Sequence, residues 1–94
     1  MRNYEVVVIA HPDLDEAAFE ALIEKVQVWI TDVDGSVEKV DRWGRRRMAY
    51  AIRKQREGQY VLFKAQMPSS FVAELERNLQ LQEPVMRYMV TIVE

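Results

Sequence analysis

Apolar residues follow two different rhythms along this chain, and the rhythm changes at turn-forming residues. Tyr4 to Ala10 (YEVVVIA) is rich in β-branched residues with apolar positions on both faces, the pattern of a central strand. His11-Pro12 closes it, because proline has no N–H to give to a ladder. The period then becomes helical: Phe19, Leu22, Ile23, Val26, Ile30 and Val33 share one face, with Glu20, Glu24 and Gln27 opposite. Asp13 or Asp15 is placed to cap this helix, with Glu16 three residues after Asp13 as a capping-box partner. Asp34-Gly35 supplies the stop, with glycine free to take the left-handed position.

The second half returns to strands. Ser36 to Trp43 reads as a half-polar edge strand whose apolar positions Val37, Val40 and Trp43 are three apart, a spacing that calls for a bulge or a twist. After Gly44, Arg46, Met48, Tyr50 and Ile52 fall on one alternating set. Gln55-Arg56-Glu57-Gly58 reads as a turn, and Gln59 to Met67 as a strand with Val61, Phe63, Ala65 and Met67 on one face. Pro68-Ser69-Ser70 opens a second helix with a serine as N-cap, and Phe71, Val72, Leu75 and Leu79 form its buried stripe. After Pro84, Val85 to Val93 alternates as a last strand. The order is β-α-β-β-α-β, which predicts an α+β, ferredoxin-like sandwich. Right-handed crossovers place both helices on one face of a four-stranded antiparallel sheet. At 94 residues the chain is expected to form a single domain, 1–94.

Charge changes this picture. Residues 42–56 (RWGRRRMAYAIRKQR) hold seven of the thirteen bases and no acid, on a chain of net charge -2. Bases this concentrated repel one another unless something anionic meets them, and a phosphate backbone is the natural partner. The interleaved Trp43, Met48, Tyr50 and Ile52 argue that the segment is folded, since a disordered basic tail needs no apolar content.

Other chemistry is sparse. There is no cysteine and one histidine, His11, so no metal site or thiolate chemistry is expected. The serines sit at element starts, where capping accounts for them. Gly35, Gly44 and Gly58 are too scattered for a phosphate loop, and Asp13, Asp15 and Glu16 lack the glycine of a calcium loop. An acylphosphatase-type enzyme on this fold would need an arginine in the loop after the first strand, where this chain has acidic His11-Pro12-Asp13-Leu14-Asp15. No catalytic residue, cofactor or small-molecule substrate is therefore expected. An RRM-like single-strand binder is the alternative, with Tyr60 as its one free stacking ring. No apolar run approaches the roughly 20 residues that span a bilayer. The N-terminus has no targeting pattern, which suggests a cytoplasmic protein or the mature form of an organelle one.

Several stretches together resemble the bacterial-type S6 family of small-subunit ribosomal proteins. They are the start Met1-Arg2-Asn3-Tyr4-Glu5, the block Trp43-Gly44-Arg45-Arg46-Arg47-Met48-Ala49-Tyr50-Ala51-Ile52-Arg53-Lys54, the set Gly58, Tyr60, Phe63 and Met67-Pro68, and Val85-Met86-Arg87-Tyr88-Met89-Val90. Met48 stands where the family has leucine, a near volume-conserving swap, and Ala51 where proline is common. The chain stops at Glu94 without the tail many members carry. The resemblance implies a non-catalytic ribosomal constituent. It would bind small-subunit rRNA in the central domain as a heterodimer with ribosomal protein S18. Arg2, Arg45, Arg46, Arg47 and Arg87 match basic positions of the family pattern and are expected to contact phosphate or partner. Lys54 and Arg56 join them on charge alone.

Overall fold

The computed structural model describes residues 1–93. Its elements are β1 (Arg2–Ala10), α1 (Glu16–Thr31), β2 (Ser36–Ile52), β3 (Gln55–Met67), a 3-10 turn (Ser69–Phe71), α2 (Val72–Gln80) and β4 (Val85–Val93). The strands form one antiparallel sheet in the order β2-β3-β1-β4. This is the ferredoxin-like arrangement that the element order predicts.

Both helices lie on one face because the apolar stripes and the strand alternation meet there. Val6, Val8 and Ala10 of β1 and Val61, Phe63, Ala65 and Met67 of β3 point to that side. They pack against Phe19, Leu22, Ile23, Val26 and Ile30 of α1 and Leu75 and Leu79 of α2. Burial of each such side chain contributes roughly 1.5–3 kcal/mol before the entropy of ordering is subtracted. Ile9 and Met48 are also buried but belong to the opposite face, outside this core.

The local devices differ from the sequence expectation in four places. Of the two expected caps Asp15 is the one used, its Oδ1 accepting the Ala18 N–H at 2.8 Å, so Glu16 falls at the first helical position and the expected capping box with Asp13 does not form. The left-handed residue after α1 is Asp34 (φ 62°), not Gly35. Asp34 tolerates that region, and Gly35 is needed for a different reason, its closeness to other backbone. Neither Ser69 nor Ser70 caps α2; a 3-10 turn after Pro68 leads directly into it. The β2–β3 turn is not Gln55 to Gly58 but Arg53-Lys54, both at positive φ (51° and 65°). A two-residue hairpin with this conformation normally takes Asn-Gly, so the sequence carries no ordinary signal for it.

β2 does contain the irregularities its three-residue spacing requires. Register shifts fall between Val37 and Lys39 and between Arg42 and Gly44, where Gly44 takes φ 80°. The second shift makes Trp43 the extra residue opposite Val61 and Tyr60. One strand thus runs unbroken through Gly44 into the basic block.

Candidate nucleic-acid interface

β1 ends at Ala10, paired with Gln59, because His11-Pro12 follows. β3 begins four residues earlier, at Gln55, so β2 and β3 continue past β1 as a two-stranded extension. Arg46 and Arg47 pair with Gly58 and Glu57 on it, Arg53-Lys54 form its tip, and Arg56 returns along β3. The proline that stops β1 therefore leaves the basic block projecting from the sheet.

An isolated two-stranded hairpin is marginal in water, and this one is tied down at several points. Arg45 Nη2 donates to Pro12 O at 2.7 Å, and Arg45 Nη1 lies 3.5 Å from Glu57 Oε1. Gln59 Nε2 donates to Leu14 O at 2.6 Å and lies within reach of His11 O and Pro12 O. At the tip, Arg53 donates to Glu83 O (2.8 Å) and Val85 O (3.1 Å), and Arg87 Nη1 of β4 donates to Tyr50 Oη at 2.6 Å. Met48 is buried on the helix-free face, and Gly58 lets the hairpin approach Ile9 where a Cβ would collide with its side chain. The tip thus reaches across the end of β1 to β4.

These ties sort the cations. Arg42 makes a two-pronged pair with Glu20 of α1, both bonds 2.7 Å. The Arg42 guanidinium holds the Glu20 carboxyl below its ordinary range. The contribution of that pair is present above the ordinary carboxylate pKa and lost as pH falls through the lowered one. Both groups are exposed, so it is small. Arg45 and Arg53 spend donors on backbone carbonyls. Arg46 sits over the Trp43 ring, 5.4 Å from its centroid. The side chains of Arg47, Lys54 and Arg56 are exposed and make no hydrogen bond or ion pair among the described residues. Arg47 and Arg56, with Arg45 and Pro12, line a shallow pocket of about 260 Å³ that also includes Asp13 and Glu57.

The structure therefore gathers Arg45, Arg46, Arg47, Lys54, Arg56 and Arg87 at one end of the sheet. Arg2 opens β1 at the other end, opposite Met67. Arg45 doubles as a clamp for the β1–α1 loop. Arg45→Ala is expected to lower stability by about 1 kcal/mol through the lost hydrogen bond to Pro12 O, read from the midpoint of urea unfolding.

Sequence reasoning missed the aromatic company of these cations. Trp43 stacks on Tyr60, with ring centroids 6.1 Å apart and planes at 19°, and the Trp43 Nε1–H donates to Asp41. Only the register, set by the bulge before Gly44, brings these two rings together. The single histidine is occupied locally, His11 Nδ1 accepting the Asp13 N–H at 3.1 Å. Among the described residues no cluster of three or more potential metal ligands occurs. Among the same residues no helix is long and apolar enough to cross a membrane.

The family model for ribosomal protein S6 matches residues 3–91. The small ribosomal subunit protein bS6 of Moorella thermoacetica is 48% identical over 94 residues, covering 100% of this chain and 96% of the relative. That of Streptomyces griseus is 49% identical over 90 residues, covering 96% and 94%. The crystal structure of 30S ribosomal protein S6 from Thermotoga maritima superimposes with a TM-score of 0.92 at 30% identity, over 98% of this chain and 87% of that one. With sequence, fold and charged hairpin in agreement, the chain belongs to the ribosomal protein S6 family and is a structural, non-catalytic constituent of the small ribosomal subunit.

Proposed function

We propose that the β2–β3 hairpin is the RNA-facing edge of this ribosomal protein. It binds the central domain of small-subunit rRNA jointly with ribosomal protein S18. The observation that carries this reading is the sorting of charges: Arg47, Lys54 and Arg56 remain exposed and unpaired on a hairpin whose other arginines hold it rigid. Arg46 and Arg87 flank them, while α1 turns the acids Glu16 and Glu24 to solvent elsewhere. Arginine forks fix position on phosphates, and the shape of the RNA supplies most of the specificity.

The free edge of β4 suits the protein partner. Met89, Ile92 and Val93 are exposed there, and the paired part of the strand carries the single charge of Arg87. Edge strands are normally blunted by bulges or charges. β2 has both, whereas β4 is regular against β1 except at its first residues. A partner with its own positive charge on that edge also offsets the acidic balance of the chain.

Anisotropy titrations of a central-domain rRNA fragment, with this chain alone and with S18, are expected to show at least tenfold tighter binding and a steeper salt dependence for the pair. Equal affinity and slope with and without S18 would remove the partner from the reading.

A further inference from the structure

At the hairpin end, the helix-free face of the sheet carries more aromatic and apolar surface than phosphate contacts use. Ile9 and Met48 are buried there, apart from the main core. Together with Ala49, Tyr50, Ile52, Tyr60 and Arg87 they line a pocket of about 200 Å³. Tyr60 and Tyr50 each contribute a ring, and Tyr60 continues into Trp43 and Arg46 as a stack. Tyr50 is 60% exposed, and Arg87 meets it at its hydroxyl end, with Nη1 2.6 Å from Oη and Cζ 6.0 Å from the ring centroid.

We propose that this slot takes one unpaired nucleotide, its base lying between Tyr50 and Tyr60 and its phosphate on Arg87. The inference rests on the reading of the hairpin as the RNA-facing edge, and it names the RNA element that edge recognises: an unstacked base rather than a helix. Three features favour a nucleotide over a peptide. The pocket lining has rings, aliphatic groups and a cation but no acid. An apolar peptide side chain would bring no anion to the Arg87 guanidinium, whereas a nucleotide brings its own. Arg87 also keeps donors to spare, since one bond to Tyr50 leaves the rest of its guanidinium fork available. Stacking on aromatic rings and guanidinium planes is the general way proteins hold single-stranded bases.

Trp43 gives a direct optical reporter. The chain has two tryptophans, and Trp29→Phe leaves Trp43 as the only one. The full-length chain in this background is titrated with labelled single-stranded oligo(A) and oligo(U) of about ten nucleotides and with a fully paired RNA duplex. Trp43 emission and RNA anisotropy are followed together. Single strands are expected to change Trp43 emission and the duplex is not. Tyr50→Ala should weaken single-strand binding about tenfold while leaving duplex affinity and the salt slope unchanged. Tyr50→Phe should restore binding to within about twofold. Both variants lose the Arg87–Tyr50 hydrogen bond equally, so Tyr50→Phe separates loss of the ring from loss of that tie.

Unchanged single-strand affinity in both Tyr50→Ala and Tyr60→Ala would overturn the slot and leave the phosphate reading standing. So would an identical Trp43 response to duplex and single strand. Loss of the Trp43 response when S18 is bound would assign the pocket to protein and overturn the proposal. If no RNA of either kind binds, with or without S18, the parent reading fails, not the slot alone.

Discussion

Replacing Arg47, Lys54 and Arg56 together with alanine will reduce the salt dependence of rRNA binding by about two to three units of slope in a log–log plot. Each phosphate contact contributes roughly 0.7–0.9 to that slope through released counterions. At low salt the same variant will bind on the order of a hundredfold more weakly, since three cations leave the interface. The fold should not be affected, because none of the three side chains makes a hydrogen bond or ion pair among the described residues. Its urea midpoint should stay within about 0.5 kcal/mol of the parent, as for other exposed surface changes. Arg42→Ala is the matched control: it removes a charge already neutralised by Glu20 and should change the slope little. Equal slopes for the parent and the triple variant, measured by anisotropy on a central-domain fragment with S18 present, would detach these residues from phosphate.

The choice of these three residues shows what the sequence could and could not convey. The basic block was visible as a block because sign segregation is a one-dimensional property. The strand order was equally visible, since Val61, Phe63, Ala65 and Met67 alternate and Phe19 to Ile30 recur at helical spacing. Which arginine is available is a property of neighbours distant in sequence. Arg45 meets Pro12, Arg53 meets Glu83 and Val85, and Arg42 meets Glu20, contacts that exist only after the sheet has formed. The turn was misplaced for a related reason. Gln55 to Gly58 contains the nearby glycine, but the tip falls at Arg53-Lys54, where tertiary bonds from Arg53 compensate for a conformation those residues do not favour. The stacking of Trp43 on Tyr60 was hidden in the same way. A strict period of two does not place them side by side, and the extra residue at the bulge does.

Gly35→Ala will destabilise the protein by about 3 kcal/mol, at the upper end of overpacking costs, although Gly35 is not in a left-handed conformation. A Cβ there would lie 2.5 Å from Gln66 O and 2.8 Å from both Ile30 O and Ile30 Cγ2. Two of these atoms are backbone. Gln66 belongs to β3, and Ile30 O accepts the Gly35 N–H at 3.0 Å, so neither can withdraw without loosening the start of β2 or the end of α1. Gly44→Ala provides the contrast. Nothing lies within 4 Å of a Cβ at Gly44, but its φ is 80°, so the expected cost is that of the backbone alone, about 1–2 kcal/mol. Asp34→Gly should be nearly neutral, because relief at φ 62° is offset by the greater freedom of glycine in the unfolded chain. Urea unfolding of the three variants distinguishes steric from torsional demand. If Gly44→Ala proved more costly than Gly35→Ala, close approach would not be what requires glycine after α1. Gly35 also sets where β2 enters the sheet, and all three register shifts and the basic hairpin lie downstream on that strand. Misplacing its first residue should therefore weaken RNA binding as well, without removing any charge.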